Sequence, residues 1–179
     1  MAKNILIVSG EPSGDLHASN LVKEIRKIKS DVEFFGLGCS LSKEAGVEID
    51  FDMSKLAIVG LVDALKNIFT IGSVFKGLLK KVDSRKCDLA ILVDYPGFNL
   101  RLAKELKKRN IPVIYYISPQ VWAWGENRIG IIKECVRKII VFFKFEETLY
   151  KRHDINAEFA GHPLIETVKP GSSKDEILK

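Results

Sequence analysis

Cysteine is scarce in this 179-residue sequence: Cys39, Cys87 and Cys135 are three in number, far apart, and match no CxxC or Cys/His metal spacing. So odd and scattered a set argues against a disulfide framework or a zinc site and suits a reducing cytoplasm. No metal and no other cofactor is expected. Also missing is any run approaching the roughly 18–20 apolar residues that cross a bilayer. The apolar run Ile5-Leu6-Ile7-Val8 stops at Ser9-Gly10 and lacks a basic region and a small-residue cleavage site, so it is not a secretory signal. A soluble or membrane-peripheral chain is expected. There is no internal repeat and no low-complexity tract. The excess of one charge sign is small, 28 Lys+Arg against 23 Asp+Glu. That is no nucleic-acid signature, although it suits a phosphate-bearing ligand or an anionic surface. With 46% hydrophobic and 28% charged residues, extensive disorder is excluded and one domain, or two small ones, is expected.

Four short apolar runs bounded by polar or turn residues read as buried parallel strands: Ile5–Val8, Leu89–Val93, Val113–Ile117 and Ile139–Phe142. A weaker fifth spans Glu33–Leu37, and Glu158–Phe159 starts a sixth. Between them, apolar residues recur at helical spacing, as in Leu21, Val22, Ile25 and Ile28, or Leu100, Leu102, Ala103 and Leu106. This alternation predicts an α/β fold, a Rossmann-like parallel sheet with helices on both faces. Breakers follow the strands: Gly10 and Gly14, Gly36 and Gly38, Pro96 and Gly97, then Pro119. They gather at strand carboxyl ends, the edge where open α/β sheets bind ligands.

Four segments carry candidate chemistry. Ser9-Gly10-Glu11-Pro12-Ser13-Gly14-Asp15 joins the first strand to a helix expected near Leu16. Its glycines allow close backbone approach to a ligand, and free N–H groups at a helix start favour an anion. It is neither GxGxxG nor a phosphate loop with a following lysine. Asp15 or Ser13 is either a ligand contact or the helix N-cap, whereas Glu11 has no obvious structural task. In Val93-Asp94-Tyr95-Pro96-Gly97-Phe98-Asn99, a carboxylate ends an apolar strand. Asp94 beside apolar walls is a candidate general base with a raised pKa, with Asn99 the natural cap for a helix over Leu100–Lys108. Ser118-Pro119-Gln120-Val121-Trp122-Ala123-Trp124 places both tryptophans in one loop, as a ligand wall or as core, with Arg128 nearby for a phosphate. Leu56–Val62 runs into a basic amphipathic helix over Val62–Lys81, facing either the core or a membrane or acyl chain. The three histidines read as helix-surface or loop residues, and no GxSxG elbow is present.

Taken together, SGEPSGD (Ser9–Asp15), Ala57-Ile58-Val59-Gly60, Asp94–Asn99, SPQVWAW (Ser118–Trp124), Phe145-Glu146 and GHPL (from Gly161) resemble, in order and spacing, the lipid-A-disaccharide synthase family over residues 4 to about 168. The resemblance implies the amino-terminal half of a GT-B fold. It implies an inverting, metal-independent glycosyltransferase joining UDP-2,3-diacylglucosamine to 2,3-diacylglucosamine 1-phosphate (lipid X), with release of UDP. The implied setting is the cytoplasmic face of the inner membrane. Matched residue by residue, it makes Asp94 and Glu11 catalytic candidates. Ser9, Gly10, Ser13, Gly14, Asp15, Asn99, Ser118, Gln120, Trp122, Trp124, Arg128 and His162 become substrate-binding candidates. Ile58, Val59, Leu61, Val62, Leu65 and Phe69 become an acyl or membrane contact. The sequence departs from the family pattern at Gly36–Leu41, where a GG-P-x-M-type run is usual, and at Gly125, Lys144 and Gly97.

On this reading residues 1–168 form the acceptor-side domain and 169–179 a linker or the start of a second domain, the donor domain then being supplied elsewhere or by a partner chain. The alternative is a non-catalytic module of the same fold that holds a lipid or sugar phosphate. A dinucleotide-dependent Rossmann enzyme is disfavoured, because GxGxxG and an acidic residue ending the second strand are absent.

Overall fold

A computed structural model describes residues 2–56, 61–121 and 127–166. Its elements run β1 (Lys3–Ser9), α1 (Pro12–Ile28), β2 (Val32–Gly38), α2 (Ser40–Glu44), β3 (Glu48–Asp52), a 3-10 turn (Met53–Leu56), α3 (Leu61–Arg85), β4 (Leu89–Val93), α4 (Pro96–Lys108), β5 (Val113–Tyr116), α5 (Asn127–Cys135), β6 (Lys138–Val141), α6 (Lys144–Arg152), β7 (Ala157–Phe159) and a second 3-10 turn (Pro163–Glu166). The strands form one seven-stranded sheet in the order β3-β2-β1-β4-β5-β6-β7, parallel at each pairing.

The central strands are continuous apolar runs because both of their faces are covered. In β1, Leu6 and Val8 join a core that α3, α4, α5 and α6 complete with Leu78, Leu102, Ile132 and Tyr150. Ile5 and Ile7 face the opposite way and pack with Ala18 and Val22 of α1.

Several elements differ from the sequence expectation. α1 begins at Pro12 rather than near Leu16, with Glu11 in the N-cap position, and α4 begins at Pro96 rather than Leu100, with Tyr95 in that position. In each case the proline opens the helix, where its fixed φ fits and its missing N–H is not needed. β3 was not expected at all. It is an edge strand whose apolar residues Ile49 and Phe51 alternate with Glu48, Asp50 and Asp52, so no apolar run marks it. Its acids instead meet α3: Lys81 reaches Glu48 at 2.7 Å and also pairs with Asp50, and Arg85 pairs with Glu48. Gly36 and Gly38 lie within β2 rather than after it. At Gly36, φ is +145° and a Cβ would fall 2.0 Å from the Ile7 carbonyl oxygen, so the close approach of β1 leaves no room for a side chain there. The linker or second-domain start expected over 169–179 lies outside the described residues.

Candidate active site at the β1/β4 crevice

From β1 the chain builds outward to β2 and β3 on one side, and from β4 to β5, β6 and β7 on the other. The order therefore reverses between β1 and β4, and the crevice beyond their carboxyl ends is where such sheets take ligands. Ser9 and Val93 are register partners at that edge. The residues that follow them bring Glu11 and Asp94 into one electrostatic neighbourhood.

The turn after β4 is held in an uncommon conformation. Asp94 and Tyr95 both have φ +47°, and Ile117, at the end of the adjacent β5, has φ +67°. Left-handed backbone at non-glycine residues costs on the order of 1–3 kcal/mol each and persists only where surroundings enforce it. Here the Asp94 N–H donates to the Tyr116 carbonyl at 3.1 Å, and the Ile117 N–H donates to Ile140 at 3.1 Å. The Asp94 carbonyl accepts from the Tyr115 hydroxyl at 2.5 Å and from Asn99 Nδ2 at 2.8 Å, and Nδ2 also donates to the Val93 carbonyl at 3.2 Å.

Asn99 therefore does not cap a helix starting at Leu100. It sits inside the first turns of α4, fully buried, and clamps the backbone of the aspartate. Its Oδ1 is buried without a partner among the described residues.

The Asp94 carboxyl is half-buried, and burial pushes its pKa above the usual carboxylate range; the negative charge of Glu11 pushes the same way, against the opposing N–H of Tyr95. Glu11 and Ser13 are exposed, and Gly10 is partly exposed.

Asp15 has a different place from the one expected of a ligand contact. Its carboxylate is 1% exposed and accepts N–H donors from Cys39 at 2.8 Å, Leu41 at 3.0 Å and Ser42 at 3.3 Å, with the Ser9 hydroxyl at 3.4 Å. Ser9 and Gly14 are buried beside it. These residues tie the β1–α1 turn to the β2–α2 turn from behind. Asp15 is not the N-cap of α1 either, because Glu11 holds that position and accepts the Asp15 N–H at 2.8 Å through its carbonyl.

The loop after β5 is anchored in the same manner. Buried Ser118 donates to Glu146 Oε1 at 2.8 Å, and Tyr150 donates to the Pro119 carbonyl at 2.9 Å. Glu146 accepts the Phe143 N–H through its other oxygen at 3.3 Å. Gln120 emerges exposed from this anchored base, while Trp122 and Trp124 lie outside the described residues. Burial, with the charge of Asp94, pushes the Tyr115 hydroxyl well above the ordinary phenol range, while the charge of Arg128, half-buried near the start of α5, pulls the other way.

His162 and His17 flank Phe142, with ring centroids 5.3 Å and 5.4 Å away. His17 is held below the ordinary imidazole range by burial and by the charge of His162. Among the acyl-contact candidates, Phe69 is 83% exposed on α3. Leu61, Val62 and Leu65 belong to the same helix, and Ile58 and Val59 lie outside the described residues.

Sequence reasoning did not single out Tyr115 and Tyr150, whose hydroxyls fix the two loops, and it read His17 as a helix-surface or loop residue, whereas the ring is half-buried against Phe142. The tyrosines sit in apolar strand and helix contexts and read as packing. A polar hydroxyl that stays fully buried is the signal that each has a partner.

A parallel sheet of this strand order with helices on both faces defines the class as Rossmann-like α/β, the fold of one half of a GT-B protein. A solved Anabaena protein, HepE, crystallised with UDP and glucose, shares that fold with a TM-score of 0.54 at 11% identity, over 90% of this chain and 44% of its own. The lipid-A-disaccharide synthetase family profile matches residues 5–179, and the chain belongs to that family. The lipid-A-disaccharide synthase of Syntrophus aciditrophicus is 44% identical over 178 residues, 99% of this chain and 46% of its own length. That of Coxiella burnetii is 40% identical over 177 residues, covering 99% and 47%, and that of Geobacter sulfurreducens is 43% identical over 174 residues, covering 97% and 45%. The chain thus spans just under half the length of the curated relatives it matches.

Proposed function

We propose that these residues supply the acceptor-side half of a lipid-A-disaccharide synthase, which transfers 2,3-diacylglucosamine from its UDP donor to lipid X to give the β-1,6-linked disaccharide and UDP. In this reaction the 6-hydroxyl oxygen of lipid X attacks the anomeric carbon of the donor sugar. The bond from that carbon to the diphosphate breaks with its electron pair leaving on UDP, and the hydroxyl proton passes to the Asp94 carboxylate. A base with a raised pKa sits nearer the operating pH and takes that proton more readily. The observation that carries the reading is Asp94 itself, a half-buried carboxyl held by enforced backbone at the sheet's reversal point.

Glu11 stands across the crevice, where its charge keeps Asp94 basic. Gly10, Ser13, Gln120, Arg128 and His162 are assigned to the acceptor side of the cleft, and Trp122 and Trp124 to acceptor contact through the motif they share with Gln120. Ser9, Gly14, Asp15, Asn99 and Ser118 hold that wall in shape. The departing diphosphate is met by the remaining half of the enzyme. The stretch containing Ile58, Val59, Leu61, Val62, Leu65 and Phe69 is assigned the acyl or membrane contact, at the inner surface of the inner membrane. No helix among the described residues is long and apolar enough to cross a membrane, and the exposed Phe69 suits a peripheral contact.

The test is disaccharide formation by these 179 residues, alone and with the remaining half supplied in trans. Activity is expected only in the mixture, and Asp94→Asn is expected to abolish it. A mixture in which Asp94→Asn turns over like wild type refutes the base assignment.

A further inference from the structure

A groove of about 740 Å³ lies between α3 and α4, within the volume range of small-ligand sites. Its floor is an aromatic row that begins at the residue after Asp94. Tyr95 stacks on Phe98, with ring centroids 5.8 Å apart and an interplanar angle of 21°, and Phe98 meets Phe75 of α3 edge-on at 5.2 Å. The rim is of opposite character: Lys76 from α3 and Arg101, Lys104 and Lys108 from α4 stand against one carboxylate, Glu105. Lys108 is held by Glu105 at 2.6 Å, whereas neither Lys76 nor Arg101 has an ion-pair partner among the described residues.

Apolar floor and cationic rim specify complementary halves of one ligand. A neutral hydrocarbon would leave the cations without partners, and a free phosphate would leave the aromatic row exposed to water. The groove starts beside the candidate base and lies beyond the Ile58–Phe69 stretch, on the later turns of α3. We propose that it binds the acceptor as a single amphiphile, an acyl chain lying along Tyr95, Phe98 and Phe75 and an anionic phosphate met by Lys76 and Arg101. This rests on the reading of Asp94 as the base that receives the acceptor's proton. The occupant is one lipid molecule withdrawn from its bilayer rather than the bilayer surface.

The probe is dodecyl phosphate below its micellar concentration, titrated calorimetrically into the chain, with dodecyl maltoside and inorganic phosphate as controls. Gly72 lines the groove with open space where a Cβ would stand. Gly72→Leu therefore fills the groove while improving helix propensity, so the variant keeps its fold. Wild type is expected to bind dodecyl phosphate about tenfold more tightly than the maltoside, the difference a charge-assisted contact provides. Gly72→Leu is expected to weaken both ligands about tenfold or more as the chain loses its apolar contact. Lys76→Gln with Arg101→Gln is expected to weaken only the phosphate. Equal binding by wild type and Gly72→Leu overturns the proposal. So does inorganic phosphate binding as tightly as dodecyl phosphate, or binding confined to phosphatidylglycerol vesicles. With both halves present, Gly72→Leu is expected to raise KM for the acceptor and leave that for the donor unchanged. Groove binding as described together with a fully active Asp94→Asn enzyme overturns the transfer reading and leaves the groove standing.

Discussion

The ring of Tyr95 occupies the space that a side chain on Gly10 would need: a Cβ there would lie 2.2 Å from Tyr95 Cγ and 2.3 Å from Cδ1. This contact joins the turn after β1 to the turn after β4, the turns that carry Glu11 and Asp94. The glycine is required by a neighbour from another strand rather than by its own backbone angle.

Gly10→Ala is accordingly expected to destabilise the chain by about 1–3 kcal/mol through overpacking. Removing the ring should relieve the clash, so Gly10→Ala in a Tyr95→Ala background should cost much less than in wild type. Urea midpoints for the four members of the cycle measure the coupling, and additive effects would show that the contact is not the constraint.

Asp15→Ala strips three backbone N–H groups of their acceptor in a buried turn. Charge-assisted bonds of this kind contribute about 1.5–3 kcal/mol each, though not additively, so a loss of about 3 kcal/mol or more is expected. Asp15→Asn should recover only part of it, because an amide offers one acceptor oxygen where the carboxylate offers two. Thermal denaturation of both variants tests the order.

For Asp94 the sign of the pH dependence follows from its raised pKa. The folded chain holds the Asp94 proton more tightly than the unfolded chain does, so stability falls as pH rises from the ordinary carboxyl range through the raised value. Asp94→Asn abolishes that loss. The variant is expected to match wild type at acid pH and to exceed it near neutrality, while losing transfer in the reconstituted enzyme. Denaturant midpoints between acid and neutral pH should therefore diverge, and parallel profiles would contradict a desolvated carboxyl.

At position 99 the chemistry of the amide can be separated from its size. Nδ2 donates to two carbonyls at once, so Asn99→Asp puts an acceptor against acceptors and should cost about 3 kcal/mol or more, as for a buried charge left without its partner. Asn99→Ala should cost less, about 1–3 kcal/mol for unsatisfied carbonyls. The order Asp worse than Ala distinguishes the clamp from simple space-filling and is read from unfolding midpoints.

The central strands were legible because burial on both faces writes them as uninterrupted apolar runs, as in Leu89–Val93. The edge strand Glu48–Asp52 was not, since an exposed edge needs no such run. Pro96 was legible as a break, but a proline that opens a helix looks the same in sequence as one that ends a strand. Asp94 was visible as a carboxylate with no local task. Asp15 and Ser118 were visible only as polar residues in suggestive segments, because their partners lie in other segments, 24 to 28 positions away along the chain, and Asn99 turns back on the carbonyls of its own segment, where its spacing read as a cap. Local spacing cannot tell an acceptor aimed at a substrate from one aimed at the N–H groups of a neighbouring loop.

The two borders of the sheet bear on how the molecule behaves in company. An unpaired strand border is a template for pairing with another chain. At one border, β3 alternates acids with apolar residues, so a second copy laid alongside in register would set like charges against each other. At the other, β7 is only three residues long and offers too short a ladder to recruit a neighbour. Replacing Glu48 and Asp50 by neutral residues would remove that repulsion and the partners of Lys81 together, leaving the edge less guarded against pairing with another strand.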